Sequence, residues 1–202
     1  DQQVAALGTA WTDAVGSTAD VHVEAAPWCG VAQGGYIRNA DGSIERDTDR
    51  CGDVRTRWQS AERDVRPDVV VVMPGLRDVA DRKFALDDPW VRVGEATSDD
   101  FLRSELVATA EALGAGGARL VWLTLAPARN ATTAAPFTPP APATDEARVL
   151  DYMHMTQAER GVPGPGFAEN DAARVDHLDD LLTQVAGERS AGRVVDLATW
   201  LA

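Results

Sequence analysis

Hydrophobic and polar positions along the chain follow two periods. GDVRTRWQSAERDV (52–65) puts Val54, Trp58 and Ala61 on one face at spacings of four and three, which predicts an amphipathic helix. QVAALGTAW, at the start of the chain, also has helical periodicity. DVHVEAAP (20–27) alternates with a period of two and predicts a strand. The first third of the chain therefore predicts helix, strand and helix in that order.

Two apolar runs, in RPDVVVVMPG (66–75) and ARLVWLTLAP (118–127), predict strands buried on both faces. Strands that are separated by helices favour an α/β fold with a parallel sheet covered on both sides. The other predicted elements are helices over 97–117, with a Ser or Asp N-cap, 145–160 and 170–188, a closing strand in RVVDLATWL (193–201), and loops over 30–51, 87–96 and 128–144.

The carboxyl ends of the predicted strands define the expected ligand side, since parallel sheets bind ligands there. The loops on this side begin at Pro27, Pro74, Pro127 and Asp196. The first helix has no strand before it, although a right-handed β-α-β connection needs a strand leading into that helix. We therefore expect a domain that lacks its first strand.

Composition narrows the class of protein. A chain of 202 residues, 45% hydrophobic and 25% charged, suits one globular domain over 1–202. Its net charge of -13 repels phosphate backbones and argues against nucleic acid as a partner. No run of 18 apolar residues predicts a membrane span. Neither a phosphate-binding loop nor a cluster with metal-ligand spacing is present, so we predict no cofactor and no metal.

The two cysteines, Cys29 and Cys51, border one turn-rich segment. They are either unrelated buried thiols or a disulfide. A disulfide would close a loop of about 20 residues and contribute about 3 kcal/mol to stability. We favour the disulfide because both cysteines flank the same loop-like segment. It would indicate an oxidising, extracytoplasmic compartment.

Six segments together carry a resemblance to a known family. They are PWCG, CGDVRTRW, RPDVVVVMPGLRDVADR, FLRSELVATAEALGAGGARLVWLTLAP, RVDHLDDLL and RVVDLATWL. On these segments the chain, from about Val4 to Leu201, resembles the SGNH hydrolases. More narrowly, it is similar to the SGNH domains attached to actinobacterial membrane-bound O-acyltransferases. The resemblance implies a three-layer α/β/α sandwich with a five-stranded parallel sheet, and ester hydrolysis or O-acyl transfer by a serine and an Asp–His pair. It also implies a membrane acyltransferase domain outside this chain.

The family's nucleophile block, GDS, is not in this chain. Alignment of the opening helix places Asp1 near the aspartate of that block. Gln2 then occupies the serine position, or the serine lies upstream. Glutamine cannot act as an acyl nucleophile.

The oxyanion blocks are carried over from the family onto two loops. Gly30 matches the glycine after the second strand, although a simple turn glycine is the other interpretation. Gly75-Leu76-Arg77-Asp78 matches G-x-N-D, with arginine in place of asparagine. Arg77 either donates to developing charge in the site or points outward and pairs with Asp78 or Asp81.

The family's D-x-x-H block does not follow Asp196. Among the histidines, His22 falls in a predicted strand and is interpreted as structural. His154 and His177 fall on predicted helices and are weak candidates for a catalytic base, since nothing places them near a nucleophile.

Tryptophans and acidic segments give weaker signals. Trp58 and Trp122 are predicted core residues, whereas Trp28 and Trp90 could line an acyl or sugar pocket. The acidic segments ERDTDR and DDPW miss the spacing of a calcium loop and are interpreted as solvated.

The resemblance therefore implies an SGNH-type serine esterase or O-acyltransferase domain, acting on an acylated cell-envelope glycan or a similar small-molecule ester. The alternative is a catalytically inactive SGNH-fold domain for binding or scaffolding, in which Gln2 and Arg77 are losses. A flavodoxin-like ligand-binding domain is a third interpretation, for which the sequence offers no motif.

Overall fold

A computed structural model describes residues 2–26, 29–39, 43–125, 168, 171–188, 192–197 and 199. Its helices are α1 (Gln2–Val15), α2 (Asp47–Cys51), α3 (Val54–Val65), α4 (Ala96–Gly114) and α5 (Ala172–Glu188). Its strands are β1 (Tyr36–Arg38), β2 (Ile44–Arg46), β3 (Val69–Val72), β4 (Arg82–Lys83), β5 (Arg119–Leu123) and β6 (Gly192–Val195). A short 3₁₀ helix covers Leu76–Val79.

The predicted parallel sheet is present, in the order β3-β5-β6. Val70 lies opposite Leu120 and Val72 opposite Trp122, so these four side chains share one face. Helices α4 and α5 cover that face, and Trp122 is only 1% exposed beneath them. The prediction of an α/β protein with a parallel sheet is confirmed at this level.

A second sheet was not predicted. Strands β2, β1 and β4 form an antiparallel sheet, with Tyr36 opposite both Arg46 and Lys83. The expectation of a loop throughout 30–51 was therefore wrong. Strands of two or three residues are too short to show a period of two, and their stability comes from partners distant in sequence, such as the Arg38 N–H that donates to the Asp81 carbonyl at 3.0 Å.

The predicted strand over 20–27 was also wrong within the described residues. Residues 19–26 have no strand assignment, and Pro27 lies outside the described part. An alternating sequence becomes a strand only when a neighbouring strand completes its ladder. Within the described ranges, β3 pairs with β5 alone and leaves residues 19–26 without a ladder.

The remaining predictions divide by location. The helices expected over 52–65, 97–117 and 170–188 are confirmed as α3, α4 and α5, and the closing strand is confirmed as β6. Helix α4 starts after Glu95, which makes no side-chain cap, instead of after the expected Ser or Asp. The predicted loop over 128–144 and helix over 145–160 lie outside the described residues. No helix in the described ranges is long and apolar enough to cross a membrane.

Candidate functional site

Two glycines meet where β3 ends, on the predicted ligand side of the sheet. A Cβ on Gly75 would overlap the Cys29 carbonyl oxygen and lie 3.0 Å from the Gly30 Cα. A Cβ on Gly30 would overlap the Asp78 carboxylate. Only glycine permits this close approach of the two backbones. The sequence assigned these residues to two separate blocks, and in the structure they form one cluster. Gly30 and Gly75 are called the glycine pair below, and Asp78 is called the clip because its side chain joins their two loops.

Asp78 is the clip. Its Oδ2 accepts hydrogen bonds from the N–H groups of Val31 at 2.9 Å and Gly75 at 2.7 Å, and its Oδ1 accepts one from Ala32 at 2.9 Å. The side chain thereby joins the loop after Gly30 to the loop after β3. Burial raises the pKa of the Asp78 carboxyl, and the three amide donors act against that rise.

The disulfide fixes the same loop from its other side. Cys29 is bonded to Cys51 across a sequence separation of 22, with their Cα atoms 5.7 Å apart. This confirms the predicted disulfide. Cys51 ends α2 and is buried with Ala26 and Val54. The residue before Gly30 is therefore tied covalently to the short helix that leads into α3.

Arg77 has partners that the sequence did not predict. Its guanidinium forms ion pairs with Glu45 and with Asp47, the second at 3.3 Å, and not with Asp78 or Asp81. Burial opposes ionisation of Glu45, but hydrogen bonds and charge from Arg77 and Arg50 outweigh it and hold the pKa of Glu45 below its usual value. The only expectation for Arg77 that remains open is a donor role towards a bound ligand.

Asp47 extends this network inward. It is only 1% exposed, accepts from the Gly34 N–H at 2.9 Å, and lies 3.8 Å from the buried Arg82 guanidinium. The interpretation of ERDTDR as a solvated segment was therefore wrong for Asp47. Sequence reasoning missed Asp47 and Arg82 because an acid in a turn-rich, charged stretch gives no local sign of burial.

Asp81 joins the antiparallel sheet to α5. Its carboxylate pairs with Arg38 and, at 2.7 Å, with Arg174. The two arginines outweigh the effect of burial and keep the pKa of Asp81 below its usual value. The Arg174 guanidinium also donates to the Val79 carbonyl at 3.2 Å, so the end of the 3₁₀ helix beyond Asp78 is held as well.

A cluster of acidic side chains that includes Asp179 and Asp196 lies where β5 and β6 end. Asp179 accepts from the Leu125 N–H at 2.9 Å. Burial raises its pKa to about 6, the amide bond acts against that rise, and the carboxylates of Asp176, Asp196 and Asp180 add to it. Asp196 follows β6, as predicted, and accepts from the Thr199 N–H at 2.9 Å.

The two described histidines, His22 and His177, each lie beside a carboxylate. His22 is half exposed and lies 3.0 Å from Glu24, so its interpretation as a structural strand residue does not match its surroundings. His177 Nε2 lies 2.8 Å from Asp99 on α4. His154 lies outside the described residues, as do Asp1, Pro127 and Trp28.

A groove of about 930 Å³ runs from the glycine pair along β3. Its lining includes β3, residues 18–24, Leu7, Gly8 and Trp11 of α1, and Trp58, Ala61, Glu62 and Val65 of α3. Cys29, Gly30 and Gly75 line it as well. The groove and the glycine pair therefore form one continuous site.

The tryptophans follow the predictions in part. Trp122 is a core residue. Trp58 packs against the buried cluster that contains Trp122 and against the smaller buried cluster of Ala26, Cys51 and Val54. Trp90 lies against basic side chains of the antiparallel sheet, with its ring 4.8 Å from the Arg38 Cζ and 5.0 Å from the Lys83 Nζ. The described residues contain no group of three His, Cys, Asp or Glu side chains that could hold a metal ion.

Comparison with known proteins identifies no relative: no family model, curated protein or solved structure matches this chain.

Proposed function

We propose that the chain forms part of a serine esterase or O-acyltransferase of the SGNH type, acting outside the cytoplasm on an acylated cell-envelope glycan or a similar ester. The observation that carries the proposal is the glycine pair with its Asp78 clip. Two backbones without Cβ atoms, fixed in contact at the carboxyl end of a parallel strand, are suited to hold the oxyanion of an acyl-transfer step.

The proposed division of roles follows from these contacts. Gly30 supplies the backbone that faces the reacting carbonyl, and Gly75 allows its own loop to approach Gly30 closely. Asp78, which accepts from the Gly75 N–H, holds the two loops in place. Arg77 shapes the rim of the site through Glu45 and Asp47. The nucleophilic serine and the Asp–His pair are supplied by parts of the polypeptide outside these 202 residues. The disulfide supports the extracytoplasmic location, because such bonds persist in oxidising compartments.

The test uses the full-length polypeptide and an aryl acetate ester, with a fluorophosphonate as a covalent probe for an activated serine. We expect ester hydrolysis, and labelling of a single serine. Gly75→Ala should lower kcat/KM by about 100-fold, because its Cβ would displace the Gly30 backbone and so disturb an oxyanion donor. Gly187→Ala is the matched control, since a Cβ at Gly187 meets nothing within 4 Å.

A second candidate function is binding without catalysis. It is favoured by the engagement of Arg77 with two carboxylates, which occupies the side chain at the position of the family's asparagine. A folded full-length protein that neither hydrolyses the ester nor reacts with the fluorophosphonate would refute the enzyme and favour the binding domain.

A further inference from the structure

The antiparallel sheet has two different faces, and its strand register assigns each side chain to one of them. Side chains of directly opposed residues lie on the same face of a sheet. Ile37 lies opposite Arg82, and both side chains are almost fully buried, which makes this the inner face. Tyr36 lies opposite Arg46 and Lys83, so these three side chains share the outer face.

Cations and aromatic rings alternate on the outer face. The centre of the Tyr36 ring lies 5.7 Å from the Arg46 Cζ and 6.0 Å from the Lys83 Nζ. The centre of the Trp90 ring lies 5.0 Å from the Lys83 Nζ and 4.8 Å from the Arg38 Cζ. The side chains that follow one another in space, here called the cation–aromatic row, are Arg46, Tyr36, Lys83, Trp90 and Arg38.

Two cations of the row have no acidic partner among the described residues. Arg38 pairs with Asp81, but neither Arg46 nor Lys83 forms an ion pair with a described carboxylate. Lys83, the only lysine in the sequence, donates instead to the Leu86 carbonyl. Aspartate and glutamate outnumber lysine and arginine by 32 to 19, so a shortage of acids does not explain the two unpaired cations. The row therefore carries positive charge that is available to an anionic ligand.

The row is also accessible from solvent. Arg46 is exposed, and Tyr36, Trp90 and Arg38 are half-buried. A half-exposed aromatic ring offers an apolar surface to the C–H groups of a sugar ring. A guanidinium beside it donates several hydrogen bonds in a fixed geometry, which suits carboxylates and hydroxyls. Rings and guanidinium groups side by side are therefore suited to an anionic saccharide.

We propose that the cation–aromatic row binds a saccharide that carries carboxylate groups. Tyr36 and Trp90 contact the sugar rings, and Arg46 pairs with a carboxylate. Lys83 is only 8% exposed, so it contributes positive potential between the two rings more than a direct contact. The net charge of -13 favours such a ligand over a densely phosphorylated polymer, because the field of the whole protein repels concentrated negative charge more strongly.

The row is separate from the glycine pair. Glu45, which pairs with Arg77 beside that site, lies opposite Ile37 and therefore belongs to the inner face of the sheet. A saccharide on the outer face can bind whether or not the protein hydrolyses esters. The proposal is accordingly tested by binding alone, and its failure would leave the proposed ester chemistry untouched.

The experiment titrates the full-length polypeptide with a trimer of galacturonic acid and with the methyl ester of that trimer, which keeps the sugar rings and removes the negative charge. Calorimetry measures both affinities. We expect the acid to bind at least about 10-fold more tightly than the ester, the usual effect of hydrogen bonds to a charged group.

Variants separate the charge from the rings. Arg46→Gln should weaken binding of the acid by about 10-fold and leave binding of the ester nearly unchanged. Trp90→Leu should weaken binding of both ligands by a similar factor, because the ring contacts the uncharged part of the sugar. Arg57→Gln, at an exposed arginine on α3, removes the same charge outside the row and should leave both affinities unchanged.

The opposite results would overturn the proposal. Equal affinities for the acid and the ester, or no binding of either, would show that the row does not recognise carboxylates. Equal losses in Arg46→Gln and Arg57→Gln would show attraction by overall charge alone. Binding to phosphatidylglycerol vesicles without binding to the trimer would identify a membrane as the partner. The comparison of acid and ester in the unmodified protein decides the proposal even if Trp90→Leu does not fold.

Discussion

The two sides of β3 differ in how they are completed. Towards β5, every residue from Val69 to Val72 has a ladder partner, and the face that carries Trp122 is covered by α4 and α5. Towards α1, the same strand borders a groove of about 930 Å³ and leaves two valines partly exposed. All four residues of β3 are valines, so the strand is equally apolar on both sides. An apolar sequence therefore indicates that a strand is suited to burial, but it does not indicate which segment of the chain covers it.

The largest predicted difference between the two sides is in packing. Leu182→Ala tests the side that α4 and α5 cover, called the closed side. It should lower the free energy of unfolding by about 4 kcal/mol, because Leu182 is fully buried among α4 and the sheet. Val71→Ala tests the side that borders the groove, called the open side. It should lower the free energy of unfolding of the 202-residue chain by less than about 1 kcal/mol. Urea denaturation of both variants measures the contrast, and equal losses would contradict it.

A second prediction concerns the covalent link on the open side. Replacing both cysteines, by Cys29→Ser with Cys51→Ser, should lower the free energy of unfolding by about 3 kcal/mol, since the disulfide closes a loop of 22 residues. Reduction of the unmodified protein provides the control. If both measurements lower the free energy of unfolding by less than about 1 kcal/mol, packing of Ala26 and Val54 suffices to hold the loop that contains Cys29.

The Asp78 clip gives a third prediction. Asp78→Asn should destabilise the protein by about 2 kcal/mol, because one oxygen of the carboxylate becomes an amide that cannot accept from a backbone N–H. Asp64→Asn, at an exposed carboxylate on α3, is the matched control. Thermal unfolding measures both variants, and an Asp78 variant as stable as the control would exclude the clip.

Whether a structural feature could be predicted from the sequence depends on how far apart in the chain its interacting residues lie. Helices α4 and α5 and strands β3 and β5 were predicted correctly, since their apolar periods and flanking glycines are local signals. The Arg77–Glu45 pair joins positions 32 apart, and no local pattern announces it. The glycines were matched to loops by resemblance, but their mutual contact required the folded chain.

The acidic group at the ends of β5 and β6 gives the smallest effect. Asp179 has a pKa of about 6 in the folded protein, against an ordinary value of 3.8. Between these values the folded state binds more protons than the unfolded state, so stability should fall as the pH rises from 3.8 to about 6 and then level off.

Asp179→Asn should flatten this pH dependence. It should also raise stability at pH 7, but by less than about 1 kcal/mol, since solvent screens a half-exposed carboxylate. Asp180→Asn, which removes one of the neighbouring charges that raise this pKa, should weaken the pH dependence without abolishing it. Chemical denaturation across this pH range measures both variants, and an unchanged slope in Asp179→Asn would contradict the assignment.

The most direct measurement is residue-resolved amide exchange of β3 in the 202-residue chain. The structure predicts slow exchange for Val70 and Val72, whose N–H groups face β5. It predicts exchange at least about 100-fold faster for Val69 and Val71, whose N–H groups face the groove. Equal protection of all four valines would contradict an open edge and, with it, the distinction between the two sides of β3.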